Sequence, residues 1–369
     1  MTEQLDVVGG LPIRVSRAEI ERVAAQVAAS AQSLLAAVSL GDAVSHPIES
    51  VQMAMHLPRL LSQFERIQTG CQLAAEHYFG VEQSVTKNLA ELADFNVSGL
   101  AAGAIGATAP LGLLRERSVS VTRIGFAGDQ VAPRTAIALA TRLKQAGENA
   151  NPDSYAEIRI ERYGNHVVAY IPGTQNWSLK SGANPLDMTS NAHAMTNDQL
   201  AASQRAVQDA LALAKVGAGD SVLLVGHSQG GIVAASIASS LHDYTVAGIV
   251  TFGSPIAGKQ IQPSVQVLAF EHSNDPVPKL DGQPNPIAKN VLTVTSRMDA
   301  PGLDTPLDAH GMTGYQQTAG EADVSRDLRL RAKLRWLAEF VGDRPGRVEW
   351  FAASRLENAD DSKDPAGDH

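Results

Sequence analysis

Cysteine is almost missing from this 369-residue chain. Cys71 stands alone, so neither an internal disulfide framework nor a Cys-x-x-Cys metal or redox motif can form, and the fold rests on packing. An excess of positive charge is also missing. Lys and Arg number 30 against 39 Asp and Glu, giving a net charge of −9 and a pI near 5.6. That balance supplies no general pull toward nucleic acid or anionic lipid, and no nucleic-acid partner is expected. Met1 to Gly10 holds acidic residues and lacks the apolar core of a secretory signal peptide, so the expected location is cytoplasmic or reached by another export route. An uncharged run, Val97 to Leu114, is dominated by Gly and Ala and interrupted by Pro110, so no stable membrane span is expected from it. His and carboxylate clusters at metal-binding spacing are absent, as is a Gly-rich loop before a lysine, which predicts chemistry without metal, nucleotide or other cofactor.

What the chain does have is apolar bulk. Hydrophobic residues make up 44% and charged residues 19%, enough for a large core and about two domains. In the first part, Ser16-Arg17-Ala18-Glu19 has the spacing of a capping box, after which Ile20, Val27 and Leu34 recur with Ala24, Ala31 and Val38 on the same face. A second stripe follows Pro58 through Leu60, Phe64, Ile67, Cys71, Ala74, Tyr78, Val81 and Val85. Two such stripes imply a helical hairpin. This region resembles the helical-hairpin proteins exported by type VII systems of actinobacteria, and Tyr78-Phe79-Gly80-Val81-Glu82 is similar to their Tyr-x-x-x-Asp/Glu export signal. The resemblance implies type VII machinery as a partner. The Trp-x-Gly turn of that family is absent, and Tyr78 on the apolar stripe also reads as a packed core residue.

From about Ser118 short β-rich runs alternate with helical ones, which predicts an α/β domain with a mostly parallel sheet. The expected division is a helical region and linker over 1–115, an α/β domain over 116–355 and a disordered acidic tail over 356–369. Glu157 to Tyr163 and His166 to Gly173, joined by Gly164-Asn165, read as a hairpin at the sheet edge. Further strands are expected at Val222 to Val225, Thr245 to Phe252, Val265 to Phe270 and Val291 to Val294. Helices are expected at Asp198 to Lys215, Gly230 to Leu241 and Arg326 to Val341.

The sharpest motif is Gly226-His227-Ser228-Gln229-Gly230, set between an apolar strand and a small-residue helix. That is the form and context of a nucleophile elbow, in which glycines at the flanking positions let strand and helix backbones pass closely and the serine hydroxyl projects above the sheet. The bland alternative is a tight strand-to-helix turn without chemistry. A nucleophilic serine needs a base and an orienting carboxylate, which in this type of site follow in the order Ser, acid, His. Asp275, just past an apolar strand and beside Pro276 and Pro278, stands where the acid belongs. His310, in Asp308-Ala309-His310-Gly311, stands where the base belongs. His272 remains a rival base, and Asp304 and Asp308 rival acids. An oxyanion needs two N–H donors. Gln229 follows the nucleophile, and Ile171-Pro172-Gly173-Thr174-Gln175-Asn176-Trp177 offers Thr174 or Gln175 from an earlier loop.

Taken together, "IPGTQNW", "GHSQGG", "TFGSP", "NDPVP" and "HGMTGY" resemble the lipase/esterase-like branch of the α/β-hydrolase superfamily over residues 118 to 345. The resemblance implies an α/β-hydrolase fold and a serine hydrolase acting on ester or lipid substrates. It implies Ser228 as nucleophile, Asp275 as acid, His310 as base, and Thr174 and Gln229 as oxyanion donors. With the front end it also leaves open a type VII-exported phospholipase-type effector. A hydrolase fold kept only for binding or secretion is the remaining alternative.

Overall fold

The computed structural model describes residues 6–8, 116–176, 178, 181–196, 201–298 and 308–356. The expected helical hairpin with Tyr78, the uncharged run at 97–114, Trp177, Asp304 and the acidic tail from 357 onward lie outside the described residues.

Nine strands form one sheet among the described residues. They are β1 (Asp6–Val8), β2 (Val119–Gln130), β3 (Ala156–Tyr163), β4 (His166–Ile171), β5 (Ser221–His227), β6 (Thr245–Phe252), β7 (Gln266–His272), β8 (Val291–Ser296) and β9 (Gly346–Arg355), in the order β1-β8-β7-β6-β5-β4-β3-β9-β2. The block from β4 to β8 is parallel throughout, and antiparallel pairs extend it on both sides. Six helices complete the described fold: α1 (Ala136–Asn149), α2 (Met188–Thr196), α3 (Ala202–Leu213), α4 (Gln229–Ala238), α5 (Met312–Asp323) and α6 (Leu328–Val341).

A strand covered on both faces must be apolar at successive positions, because alternate side chains enter opposite layers. In β5, Leu223 and Val225 join one core with Leu139, Leu143, Phe252, Phe270, Tyr315 and Leu337, under α1, α5 and α6. Val222 and Leu224 join the other core with Val207, Leu211, Val233, Ile237, Ile249 and Phe351, under α3 and α4. The parallel block therefore sits between two helical layers, and its strand ends converge on one rim.

The expected hairpin of β3 and β4 forms, with Tyr163 opposite His166, but it does not lie at the sheet edge. β9 pairs with β3, and β2 lies outside β9. Apolar and charged residues alternating along β3 ordinarily mark a half-solvated strand, yet here Glu157, Arg159 and Glu161 are all buried. Glu161 accepts from Arg159 Nε at 2.8 Å, Tyr163 Oη at 2.9 Å and Tyr170 Oη at 3.0 Å, and also pairs with Arg142. Mutual neutralisation places charges in an interior strand. The helix expected from Asp198 starts at Ala202 as described, and the helix expected from Arg326 starts at Leu328, capped by the Asp327 carboxylate on the N–H groups of Arg329 and Leu330. The polar stretch between the early loop and α3 contains α2, which carries no apolar stripe to reveal it. Asp6–Val8, ahead of the expected helical stripes, pairs antiparallel with β8.

Replacing Glu161 by Leu removes the one carboxylate between the Arg142 and Arg159 guanidinium groups. The expected loss of stability in urea unfolding is about 3–5 kcal/mol, the usual cost of leaving buried charge uncompensated. A change within experimental error would show that solvent, and not Glu161, satisfies the two arginines.

Candidate active site

β5 ends at His227 and α4 begins at Gln229, so Ser228 alone makes the turn from strand to helix. Its backbone adopts φ 51° and ψ −120°, a strained conformation for a residue with a Cβ. The neighbours enforce it. A Cβ on Gly226 would lie 2.3 Å from the Gly230 carbonyl, and one on Gly230 would lie 1.9 Å from the Ile171 carbonyl oxygen. No larger residue fits either position, so the three backbones of β4, β5 and α4 meet directly beneath the serine. The Ser228 N–H donates to the Phe252 carbonyl at 2.9 Å, which joins the turn to the end of β6.

Two strands further along the parallel block, Asp275 follows β7. It is fully buried and its carboxylate collects three donors: the Val277 N–H at 2.9 Å on Oδ1, and His310 Nδ1 at 2.7 Å and the Tyr315 hydroxyl at 2.6 Å on Oδ2. Pro276 leads into the short 3-10 helix Val277–Asp281, which presents the Val277 N–H. A carboxylate at Nδ1 leaves the other ring nitrogen of His310 as the basic one. His310 ends the 3-10 turn Asp308–His310 and is 7% exposed, as Ser228 is 8% exposed. Asp308, the rival acid in the described residues, is exposed, whereas Asp275 is paired with the imidazole.

His272, the rival base, is buried and stacked on Tyr315 with ring centroids 3.9 Å apart. Its Nδ1 meets the Ala309 carbonyl at 2.6 Å and its Nε2 the Thr318 hydroxyl at 2.9 Å. Both nitrogens are occupied, so the ring is not available as a base for the serine. His227 Nε2 meets the His310 carbonyl at 2.9 Å, and the two imidazole rings lie 4.7 Å apart. Burial, with the neighbouring His310 adding to it, pushes the His227 pKa down to about 3.

The early loop closes on the elbow from the β4 side. A Cβ on Gly173 would come within 2.7 Å of His227 Nδ1 and 3.1 Å of Ser228 Cβ. Next along, the Thr174 hydroxyl donates to Gln229 Oε1 at 3.2 Å and accepts from Asn191 Nδ2 at 2.6 Å, while Gln229 Nε2 donates to the Asp187 carbonyl at 3.2 Å. Thr174 and Gln229 are thus linked by their side chains. As first residue of α4, Gln229 has a backbone N–H with no carbonyl four residues back within the helix.

The structure brings together Gly226, His227, Ser228, Gln229, Gly230, Thr174, Asp275 and His310 at the carboxyl ends of the parallel strands, where ligands bind in open α/β sheets. Sequence reasoning missed Tyr315, Asn191, Asp187 and Arg355. Arg355, fully buried, pairs with the Asp187 carboxylate at 2.6 Å and with Glu116 at 3.1 Å, which anchors the start of α2. Asp187 accepts from the Ser190 N–H at 2.9 Å, so Asp187-Met188-Thr189-Ser190 carried a capping signal for α2. No comparable local signal pointed to Tyr315.

Residues 186–308 match the family model described as the PGAP1-like alpha/beta domain, a family of α/β-hydrolase type. The match covers one third of the chain and includes Ser228 and Asp275, with Thr174 just before it and His310 just after. No curated protein and no solved structure matches the chain. Fold and match together define a mixed α/β architecture of the α/β-hydrolase type, a sheet flanked by helices.

Tyr315→Phe removes one of two donors on Asp275 Oδ2 and the acceptor of the His272 N–H, which lies 3.2 Å from the hydroxyl. Both partners stay buried, so stability in urea should fall by about 1–3 kcal/mol. An unchanged unfolding midpoint would mean that neither group depends on the phenol.

Proposed function

We propose that this chain is a serine hydrolase of carboxylic esters, with Ser228 as nucleophile, His310 as general base and acid, and Asp275 as the orienting carboxylate. The observation that carries the reading is the 2.7 Å contact between His310 Nδ1 and the buried Asp275, on the same rim as a serine held at φ 51° between two obligatory glycines.

The chemistry follows from these assigned roles. Ser228 Oγ attacks the ester carbonyl carbon while its proton passes to His310 Nε2, and the imidazolium that forms is stabilised by Asp275. Negative charge develops on the carbonyl oxygen and is met by the backbone N–H groups of Gln229 and Thr174. The Thr174 hydroxyl is already donated to Gln229 Oε1, so its backbone N–H is the group assigned to the oxyanion. Collapse of the tetrahedral intermediate expels the alcohol, which takes the proton from His310 and leaves an acyl group on Ser228. Water, deprotonated by His310, then releases the acid and restores the serine.

Three substitutions test the assignment. Ser228→Ala should lower p-nitrophenyl ester hydrolysis by several powers of ten, with thermal unfolding retained because only one hydroxyl is lost. Full activity in a folded Ser228→Ala chain would remove Ser228 from the mechanism. Asp275→Asn should impair kcat by about four powers of ten through the wrong imidazole tautomer, while Asp308→Asn stays near wild type. If the Asp308 variant were the crippled one, the acid would be misassigned.

A further inference from the structure

His310 reaches the site on a three-residue 3-10 turn, Asp308–His310, and a turn that short does not hold its own position. Two histidines from elsewhere in the fold hold it. The carbonyl of Ala309 lies 2.6 Å from His272 Nδ1, at the end of β7. The carbonyl of His310 itself lies 2.9 Å from His227 Nε2, in the residue directly before the elbow serine. A carbonyl oxygen only accepts, so each of these nitrogens must carry a hydrogen. His272 then accepts from the Thr318 hydroxyl with its other nitrogen. His227 turns its Nδ1 toward the early loop, where no room remains for a side chain on Gly173.

We infer that His227 and His272 form a clamp that positions the base, each donating to one of two consecutive backbone carbonyls, with His227 setting the distance between His310 and Ser228. The inference rests on the proposed roles of Ser228 and His310 and adds to them. His227 occupies position 227 of the elbow, so the link is short: one peptide unit joins the clamp to the nucleophile. Neither histidine transfers a proton in the reaction. Burial keeps both rings neutral, lowering the pKa of each, so no second positive charge faces the imidazolium that forms on His310. The ionisable groups around His227 are His310, Asp275 and Tyr315, and those around His272 are Tyr315, Asp275, His310 and Glu321.

The roles of donor and imidazole separate by substitution. Gln places an amide nitrogen where His227 has Nε2, whereas Phe fills the space without a donor. His227→Phe should lower kcat for p-nitrophenyl acetate by about 10- to 100-fold with KM within about twofold, the effect of a misplaced base. His227→Gln should recover kcat to within about threefold of wild type and leave the pH profile of kcat/KM in place. Phe and Gln variants that are equally impaired would show that the imidazole itself is required, and a Phe variant with wild-type kcat would show that the carbonyl bond does nothing; either overturns the clamp. His272→Asn, which keeps a donor at the Nδ1 position, against His272→Leu forms a second pair whose outcome is read in the same way and does not depend on the His227 variants folding. Labelling by a fluorophosphonate separates this inference from the reading beneath it. Wild type should label at Ser228, and His227→Phe should label more slowly by the same factor as kcat. Equal rates would sink the clamp alone. A wild-type chain that does not label at all would sink the assignment of Ser228.

Discussion

Everything at this site depends on how closely three backbones approach under Ser228. With hydrogen atoms in place of side chains at Gly226 and Gly230, the first turn of α4 lies on the end of β5 and against the Ile171 carbonyl of β4. That contact leaves the intervening residue only an unfavourable conformation, at φ 51°. The strain is offset by the cores on both faces of the sheet, where Val222 to Val225 and most of α4 are buried. The same approach draws the loop after β4 onto the elbow, so that Gly173 and Thr174 lie beside Ser228 and Gln229. One constraint thus arranges both the serine and the loop that would meet an oxyanion.

The second requirement is electrostatic. Asp275 is fully buried, and a buried carboxylate is tolerable only where donors surround it. Val277, Tyr315 and His310 supply them. The turn that carries His310 meets two further imidazoles, with the Ala309 carbonyl against His272 Nδ1 and the His310 carbonyl against His227 Nε2. Polar groups in the interior recur at β3, where Glu161 gathers two arginines and two tyrosines, and beneath α2, where Arg355 joins Asp187 and Glu116. In each case a cluster of mutually satisfied groups fixes an element that apolar packing alone would leave free to slide.

Much of this was legible in the sequence. The strands of the parallel block announce themselves as apolar runs because both their faces are covered, and β6 spans Thr245–Phe252 as read. The elbow was legible because its geometry permits only glycine at two positions. Asp275 and His310 were legible by their order after later strands, and the structure brings their side chains together. What stayed hidden was of another kind. β3 looked like an edge strand because charge normally marks solvent, and only its distant partners Arg142 and Tyr170 show why Glu161 can be interior. α2 lacks an apolar stripe and is held by Asp187 and Arg355, residues far apart in the chain. Tyr315 reaches Asp275 across 40 positions of sequence, and no spacing rule connects them.

The central claim is that an acyl group passes through Ser228. Mixing the protein with a slowly deacylating p-nitrophenyl ester, quenching in acid and mapping the peptides by mass spectrometry tests it directly. The account predicts one added acyl mass, carried by the peptide that contains Ser228, together with a burst of p-nitrophenol equal to the protein present. Steady hydrolysis with no acylated peptide, or an acyl mass on a different residue, would contradict it.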